Sequence, residues 1–287
     1  MTDSPIIDTH QHLWDLSLVA CNWMTDNTLS IARSFRPADY AAAIDGLGVV
    51  KSIYMEVDVR KDLLPVEADY ATGICESGST TMVAAVIGGY PAEEGFAAWV
   101  KPFAGHRHVK GIRQVIHEAA TAPGYCLSDE FVAGVRLLGE SGLTFDICIR
   151  PEELADAAEL ISRCPGTRFV LDHCGNANVH HSAEQRERWK RDLALVAARP
   201  NVVCKVSGVV ASAKPGAWSA DDLAPIVDHT MDLFGPDRVM FGGDWPVCTL
   251  AATYREWVTA LKQIVSNRPE AHRHQLFHDN AEAFYGV

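Results

Sequence analysis

Two histidines two residues apart, His10 and His12, follow an apolar run near the start of the chain. On a β-strand, residues at positions i and i+2 point to the same face, so the two imidazoles can converge on one point. Imidazole nitrogens are common ligands of first-row metals such as Zn²⁺. The pair predicts a metal or substrate contact, but only in combination with other residues, because H-x-H also arises by chance.

Two further candidates, His173 and Asp244, end later apolar runs. An aspartate in that position can bind a metal, act as a general base on water, or do both in turn. A free imidazole can donate a hydrogen bond to a developing oxyanion. The structural alternatives are a core role for His173 and a helix cap for Asp244. We predict that Asp244 and His173 are catalytic and that His10, His12 and Asp244 bind a metal.

Other polar residues also crowd at the ends of apolar runs, where they cost free energy unless they are paired or used. Arg113 and Lys205 are suited to an anionic or polar substrate group. Each is equally suited to a buried ion pair with Glu56 or Asp146, and the sequence leaves both roles open. The predicted substrate-binding residues are Trp14, Glu56, Arg113, Gln114, His117, Asp146, Lys205 and Trp245.

Eight apolar runs alternate with amphipathic segments along the chain. Runs that are apolar throughout suit parallel strands covered on both faces, and the alternation indicates βαβ units. An open doubly wound sheet gives the same pattern, but the G-x-G-x-x-G fingerprint is absent after the first run. We predict an α/β fold, a (β/α)8 TIM barrel, with its site at the carboxyl ends of the strands. The predicted strands are 6–12, 49–58, 82–88, 109–116, 144–149, 168–173, 201–207 and 238–243.

The segments between these runs have helical periodicity, and a helical tail over 251–285 is predicted to complete one domain, 1–287. The stretch 13–36 contains Trp14, Asn22 and Trp23 but has no periodicity. Loops of that length are usually functional, so we predict a lid over the site. The predicted helices are 37–47, 65–76, 93–103, 128–142, 151–163, 184–198 and 221–234.

The composition is that of a globular protein, with 48% apolar and 22% charged residues among 287. The formal net charge of −12 argues against nonspecific binding to nucleic acid or to anionic membranes. The first residues lack a basic stretch followed by an apolar run, and none of the eight cysteines forms a C-x-x-C pair. We therefore expect a cytoplasmic protein with reduced cysteines, and homo-oligomerisation stays open.

Together these motifs resemble the amidohydrolase superfamily, and more narrowly its sugar lactonase branch of fuconolactonases and rhamnonolactonases, which is related to pyrone-dicarboxylate lactonase. The resemblance implies a (β/α)8 barrel that hydrolyses a small-molecule lactone. It also implies that His10 and His12 contact a metal or the substrate, that His173 assists at the carbonyl oxygen, and that Asp244 moves the proton. The matching segments begin at Asp8, Val109, Leu171, Cys204 and Met240, and read DTHQHLW, VKGIRQ, LDHCG, CKVSG and MFGGDWPVC.

The sequence departs from the binuclear amidohydrolases at two strands. Those enzymes usually carry a bridging Lys or Glu on the fourth strand and a His ligand on the fifth. Here the fourth carries Arg113 and Gln114, and the fifth reads TFDICI from Thr144. The resemblance therefore implies one divalent metal, with Zn²⁺ expected and metal-independent catalysis as the alternative.

Three functions follow from these residues. The leading one is opening of a sugar-acid lactone (an aldonolactone) by water that Asp244 activates. The second is hydrolysis of a pyrone or other dicarboxylate lactone, for which Arg113 and Arg150 could supply two cations. The third, from a different class, is a non-catalytic barrel that binds sugar acids, and a decarboxylase of the related metal-dependent type is disfavoured by the missing histidine on the fifth strand.

Overall fold

Eight parallel strands form one sheet, in which each strand pairs with the next one along the chain. The computed structural model describes residues 5–21, 23–24 and 30–287. The strands are β1 (Ile6–Gln11), β2 (Val49–Met55), β3 (Met82–Gly88), β4 (Val109–Val115), β5 (Thr144–Cys148), β6 (Phe169–Leu171), β7 (Val202–Val206) and β8 (Val239–Phe241).

The sheet closes where the chain beyond β8 returns to β1. The backbone N–H of Asp244 donates to the carbonyl of His10 at 2.7 Å, and the N–H of His12 donates to the carbonyl of Trp245 at 2.7 Å. These bonds confirm the predicted (β/α)8 barrel. They also place two of the predicted metal ligands beside the predicted catalytic aspartate.

Helices follow the strands, and several of them begin at a capping residue. The Ser128 hydroxyl accepts from the N–H of Phe131, and Ser182 and Gln185 form a reciprocal capping box. The α-helices of four or more residues are Pro37–Ile44, Leu64–Ser77, Phe96–Val100, Asp129–Glu140, Leu154–Arg163, His173–Asn176, Ala183–Ala197, Ala220–Phe234, Tyr254–Ile264, Glu270–His274 and Asn280–Tyr285, and His173–Asn176 is a distorted turn with two non-helical residues. Among the described residues, none of the helices is long and apolar enough to span a bilayer.

The helical tail predicted over 251–285 closes the amino-terminal end of the barrel. Its last helix supplies Ala281 and Tyr285 to an apolar cluster with residues of β1, β2, β3, β6 and β8. The side-chain amide of Asn280 donates to the carbonyl of Val239 at the start of β8. This end of the barrel is therefore filled by apolar packing.

Three strands are each three residues shorter than the sequence predicts, whereas each of the other five differs by two residues at most, and all three stop before the polar residues at their carboxyl ends. β2, β6 and β8 end at Met55, Leu171 and Phe241. Beyond them, Asp58, His173 and Asp244 have left-handed backbone angles, with φ of 50°, 55° and 53°. Non-glycine residues adopt this conformation at a free-energy cost, so these positions are held by their surroundings.

Candidate active site

A cavity of about 520 Å³ opens at the carboxyl ends of the strands. Its wall includes six of the predicted catalytic, metal-binding or substrate-binding residues. These are His12, Trp14, Arg113, His117, His173 and Asp244. In a closed α/β barrel this is the end where chemistry takes place.

The centre of the site is the carboxylate of Asp244, with imidazoles around it. Its Oδ1 lies 3.4 Å from Nε2 of His12 and 3.8 Å from Nε2 of His10. One nitrogen each from His10 and His173 and one oxygen of Asp244 lie within 4.8 Å of one another. The structure thus brings together all four residues that the first motifs indicated.

The direction in which the His10 side chain points depends on an irregularity in β1. The register with β2 shifts between Asp8 and Gln11, and Asp8 accepts from the hydroxyls of Tyr40 and Tyr254 in two outer helices. His10 turns instead towards the cavity residues, beside Gly242. A Cβ on Gly242 would lie 2.7 Å from the Cβ of His10, so glycine is required at that point of the F-G-G-D motif.

Hydrogen bonds at Nδ1 orient two of the three imidazoles, and Nδ1 of the third faces a carboxylate at a longer distance. Nδ1 of His12 donates to the carbonyl of Met55 at 2.9 Å. Nδ1 of His173 is 2.9 Å from the Ser207 hydroxyl, and Nδ1 of His10 is 3.4 Å from an oxygen of Asp172. Partners of this kind fix the ring orientation and tautomer of histidines that bind metals or substrates through Nε2.

Burial sets the charge of two of these rings. It lowers the pKa of His10 well below its ordinary value and also lowers the pKa of His173, although Asp172 and Asp244 oppose the change. Both imidazoles are therefore neutral at physiological pH. Neutral imidazole is the form that binds a metal or accepts a proton.

The donor set fits one divalent cation. Because Nδ1 of His12 carries a hydrogen, its Nε2 presents a lone pair to the Asp244 carboxylate, and two such atoms repel unless a cation or proton lies between them. Ligand atoms of a tetrahedral site with bonds of ~2.1 Å are ~3.4 Å apart, close to the separations found here. Nη1 of Arg113 lies 3.4 Å from Nε2 of His10 and can donate to its lone pair, so the guanidinium competes with a cation for that atom, and its permanent charge disfavours a second metal on the β4 side.

A layer of buried charges lies beneath the cavity. Lys205 donates to Asp146 at 2.6 Å and lies 3.3 Å from Asp172, and all three side chains are completely buried. Asp146 and Asp172 raise the pKa of Lys205, although burial opposes this. Burial in turn raises the pKa of Asp146 to about 6. Lys205 and Asp146 therefore have the ion-pair role that the sequence had left open.

Arg113 also belongs to this buried network. Its Nε donates to Glu56 at 2.6 Å, its Nη2 donates to the Glu56 carbonyl at 2.7 Å, and its Nη1 donates to Asp172 at 3.2 Å. Part of the side chain still forms cavity wall. Because protein acceptors hold the guanidinium, it contributes positive charge to the site but few free donors for a substrate.

Five of the predicted substrate-binding residues do not line the cavity. Glu56, Asp146 and Lys205 are enclosed in the ion pairs described above. Gln114 alternates with Arg113 on β4 and so points away from the barrel interior. Trp245 is buried between Phe35 and Tyr40, with ring centroids 5.2 and 5.4 Å away. Direct substrate contact is thus disfavoured for Glu56, Gln114, Asp146, Lys205 and Trp245.

Aromatic side chains of the loop predicted as a lid form part of the cavity wall. Trp14 pairs with Phe35 through two backbone hydrogen bonds of 3.0 and 2.8 Å, and its ring packs edge-on against Trp23. Both tryptophans and Ile31 line the cavity. Asn22 and residues 25–29 of the predicted lid lie outside the described residues.

Two acidic residues, Asp58 and Glu118, also line the cavity. The N–H of Asp58 donates to the Glu56 carboxylate at 2.6 Å, which helps to hold the left-handed backbone. Burial and then the charges of Glu56 and Glu118 raise the pKa of Asp58 to about 7. This part of the cavity is consequently acidic.

Asp172 and Ser207 were absent from the predicted site, although both orient imidazoles. Strand alternation indicates that Asp172 faces away from His173, and the structure places it against His10 and the two buried cations. Ser207 follows Lys205 by two residues and so faces the same side, next to His173. The sequence signal that could have found these two residues is a carboxylate and a hydroxyl at the ends of apolar strands that neighbour the histidine-bearing strands.

The model of the amidohydrolase family matches residues 7–287 of the chain. The chain belongs to the amidohydrolase family. Its relatives include an L-fucono-1,5-lactonase of Burkholderia multivorans, 28% identical, with 98% of this chain and 96% of the relative covered. An L-rhamnono-gamma-lactonase of Scheffersomyces stipitis is 23% identical, in an alignment that covers 62% of this chain and 59% of the relative.

A solved structure supports the same assignment for this amidohydrolase. It is an amidohydrolase from Burkholderia multivorans with bound zinc, 26% identical, with a TM-score of 0.88. The alignment covers 99% of this chain and 100% of the other. The family that the motifs indicated is thereby confirmed over the whole barrel.

Proposed function

We propose that this amidohydrolase opens the ring of a sugar-acid lactone by adding water to the ester carbonyl. The observation that carries the proposal is the Asp244 carboxylate, which lies in the cavity wall within 4 Å of the Nε2 atoms of two imidazoles. Ester hydrolysis needs a base for water and an acid for the leaving alkoxide, and one carboxylate can serve in both steps. The lactonase relatives support this class of substrate.

In the proposed reaction Asp244 takes a proton from water as the water oxygen bonds to the carbonyl carbon. His173 donates a hydrogen bond to the oxygen on which negative charge develops, and Ser207 keeps its ring in position. The ring C–O bond then breaks. Asp244 returns its proton to the alkoxide, so the product is an open-chain hydroxy acid and the protein is unchanged.

We propose that His10, His12 and Asp244 bind one divalent cation, with His173 beside it. A cation bound there supplies Lewis-acid chemistry, which polarises a carbonyl and lowers the pKa of water. The neutral state of the His10 imidazole and the spacing of the donors support this assignment. The zinc-bound neighbour supports Zn²⁺ as the ion.

The cavity wall favours an uncharged, hydroxyl-rich ring. Trp14 and Trp23 offer apolar surface to one face of a sugar ring, as in many ligand sites that combine aromatic walls with a few polar groups. Asn176 and Asn178 line the same cavity and can offer Oδ1 and Nδ2, respectively, to hydroxyls, because Asn176 donates through Nδ2 to the Ile149 carbonyl and Asn178 accepts through Oδ1 from the N–H of His180. This combination suits an aldonolactone.

A dicarboxylate lactone fits this wall less well. Arg150 is paired with Glu153 at 2.7 Å and donates to the carbonyls of Glu118 and Thr121, while Arg113 is held by buried carboxylates. Glu118 and the ionised fraction of Asp58 face the same space and would repel a dianion. Of the two arginines that kept this alternative open, Arg113 is engaged at all three nitrogens, and Arg150 keeps only its buried Nη2 without a protein partner.

A panel of lactones tests the proposal. The panel contains 1,4- and 1,5-aldonolactones, L-fucono-1,5-lactone among them, together with 2-pyrone-4,6-dicarboxylate, and acid release is followed with a pH indicator. We expect kcat/KM for the best aldonolactone to exceed that for the pyrone by at least ~100-fold, since the unfavourable contact with each carboxylate costs on the order of 1–3 kcal/mol.

Two outcomes would contradict the proposal. Faster hydrolysis of the pyrone would make the enzyme a dicarboxylate lactonase. Binding of sugar acids without turnover of any lactone would make it a binding protein.

A further inference from the structure

A cluster of potential metal ligands lies far from the cavity, in the C-terminal tail. His274 and His278 are one helical turn apart, and Asp279 follows directly. One ligand atom from each of the three lies within 4.8 Å of the other two. We propose that His274, His278 and Asp279 form a second site for one divalent transition-metal ion, of the Ni²⁺ or Cu²⁺ type.

The local backbone explains why three side chains share one face. Residues Gln275–Asp279 form a π-helical segment between Glu270–His274 and Asn280–Tyr285. In a regular α-helix a residue at i+5 lies ~140° around the axis from residue i, so Asp279 would not lie over His274. The π-helical turn, with its i to i+5 repeat, brings Asp279 back to the face of His274 and His278.

Hydrogen bonds hold the three side chains together at separations that a cation with ligands at right angles also needs. Nδ1 of His274 donates to Oδ2 of Asp279 at 2.8 Å, and Nδ1 of His278 donates to Oδ1 at 2.9 Å, so a cation bound here would take the place of these two protons. Ligands ~2.1 Å from a metal and at 90° to each other are ~3.0 Å apart, as in octahedral or tetragonal Ni²⁺ and Cu²⁺ sites. The active-site separations of 3.4 and 3.8 Å suit a tetrahedral ion better.

The cluster is both accessible and held in place. The side chains of His274 and Asp279 are 37% and 49% exposed, so an ion and its water ligands can reach them. On the opposite face, Leu276 and Phe277 are buried, and the Phe277 ring lies 5.4 Å from Phe241 of β8. A rigid backbone lowers the entropy lost when the ligands converge on an ion.

Metal counting in the full-length protein tests the site. Chelator-stripped chains are titrated with Ni²⁺ and the bound ions are counted by equilibrium dialysis. We expect His274→Ala and His278→Ala each to bind one Ni²⁺ fewer per chain than the parent. His272→Ala is the matched control, because His272 belongs to the same tail but not to the cluster, and we expect it to keep the parent count.

Thermal unfolding gives a second measurement. At Ni²⁺ concentrations ~100 times Kd, this site should contribute ~5 °C to the rise in the parent Tm, and His274→Ala should lose that contribution while keeping any rise due to the active site. Asp279→Asn keeps both imidazoles and should bind Ni²⁺ at least ~10-fold more weakly. An unchanged count in both histidine variants, or an equal loss in His272→Ala, would overturn the proposal. The comparison does not depend on turnover, so it is independent of the lactonase proposal.

Discussion

The two ends of the barrel differ in their content of strained and charged residues. At the carboxyl ends of the strands, Asp58, His173 and Asp244 have left-handed backbones, and a layer of buried charges lies beneath the cavity. At the amino-terminal ends, the last helix packs Ala281 and Tyr285 into an apolar cluster. All five non-glycine residues with positive φ among the described residues lie at or just beyond the carboxyl ends.

This difference separates residues that stabilise the fold from residues that cost it free energy. Strained backbones and buried charges persist only where surrounding structure holds them, and they are concentrated at functional sites. In barrels, the amino-terminal face generally serves stability. Changes at the cavity should therefore alter turnover more than folding, and matched changes elsewhere should leave turnover intact.

The largest expected effect comes from Asp244→Asn. The amide cannot take a proton from water, so kcat should fall by ~10³- to 10⁴-fold. The fold should survive because the bond from residue 244 to the carbonyl of His10 involves the backbone. Asp237→Asn, at the opposite end of β8, is the matched control. Aldonolactone kinetics and far-UV circular dichroism measure both, and near-normal turnover by Asp244→Asn would remove it as the base.

A smaller effect is expected from Gly208→Ala. A Cβ at Gly208 would overlap the ring of His173, which must then leave its hydrogen bond with Ser207. We expect kcat to fall by ~100-fold, the loss typical when a catalytic group is displaced by about 1 Å.

Gly216→Ala separates this displacement from backbone strain. Gly208 and Gly216 have φ of 69° and 67°, but no atom lies within 4 Å of a Cβ at Gly216. Both variants pay the same cost of placing alanine at positive φ. Equal kcat values for the two variants would show that the position of the His173 ring is not important for turnover.

Much of the fold and of the candidate site could be predicted from the sequence. The alternation of apolar runs and amphipathic segments indicates the barrel, and the polar residues at the ends of the runs locate the site. His10, His12, His173 and Asp244 were found because histidines and aspartates that end apolar strands need a reason to be there. The resemblance to amidohydrolases then supplied the reaction class.

The remaining features depend on contacts between distant parts of the chain. Sequence spacing cannot decide whether Lys205 points to substrate or to Asp146, because a partner 59 residues away fixes its role. The register shift in β1, which turns Asp8 outward and His10 inward, likewise breaks the simple alternation. Asp172 and Ser207 were missed for the same reason, since each acts through an imidazole on another strand.

The smallest expected effect concerns stability and comes from Asp58→Asn. Burial and the neighbouring acids raise the pKa of Asp58 to about 7, against ~3.9 in an unfolded chain. Between these values the folded state binds more protons than the unfolded state, so the stability of the native enzyme falls as pH rises from 4 to 7. The variant lacks this cost and tolerates the left-handed backbone, because asparagine favours it. It should be ~1–2 kcal/mol more stable than the parent at pH 8 and no more stable at pH 4, by urea unfolding.

Asp69→Asn, on an exposed helix position, controls for the amide itself. A stability gain of equal size at both pH values would mean that Asp58 carries no such cost, and that electrostatic strain is not what distinguishes the cavity end of the barrel.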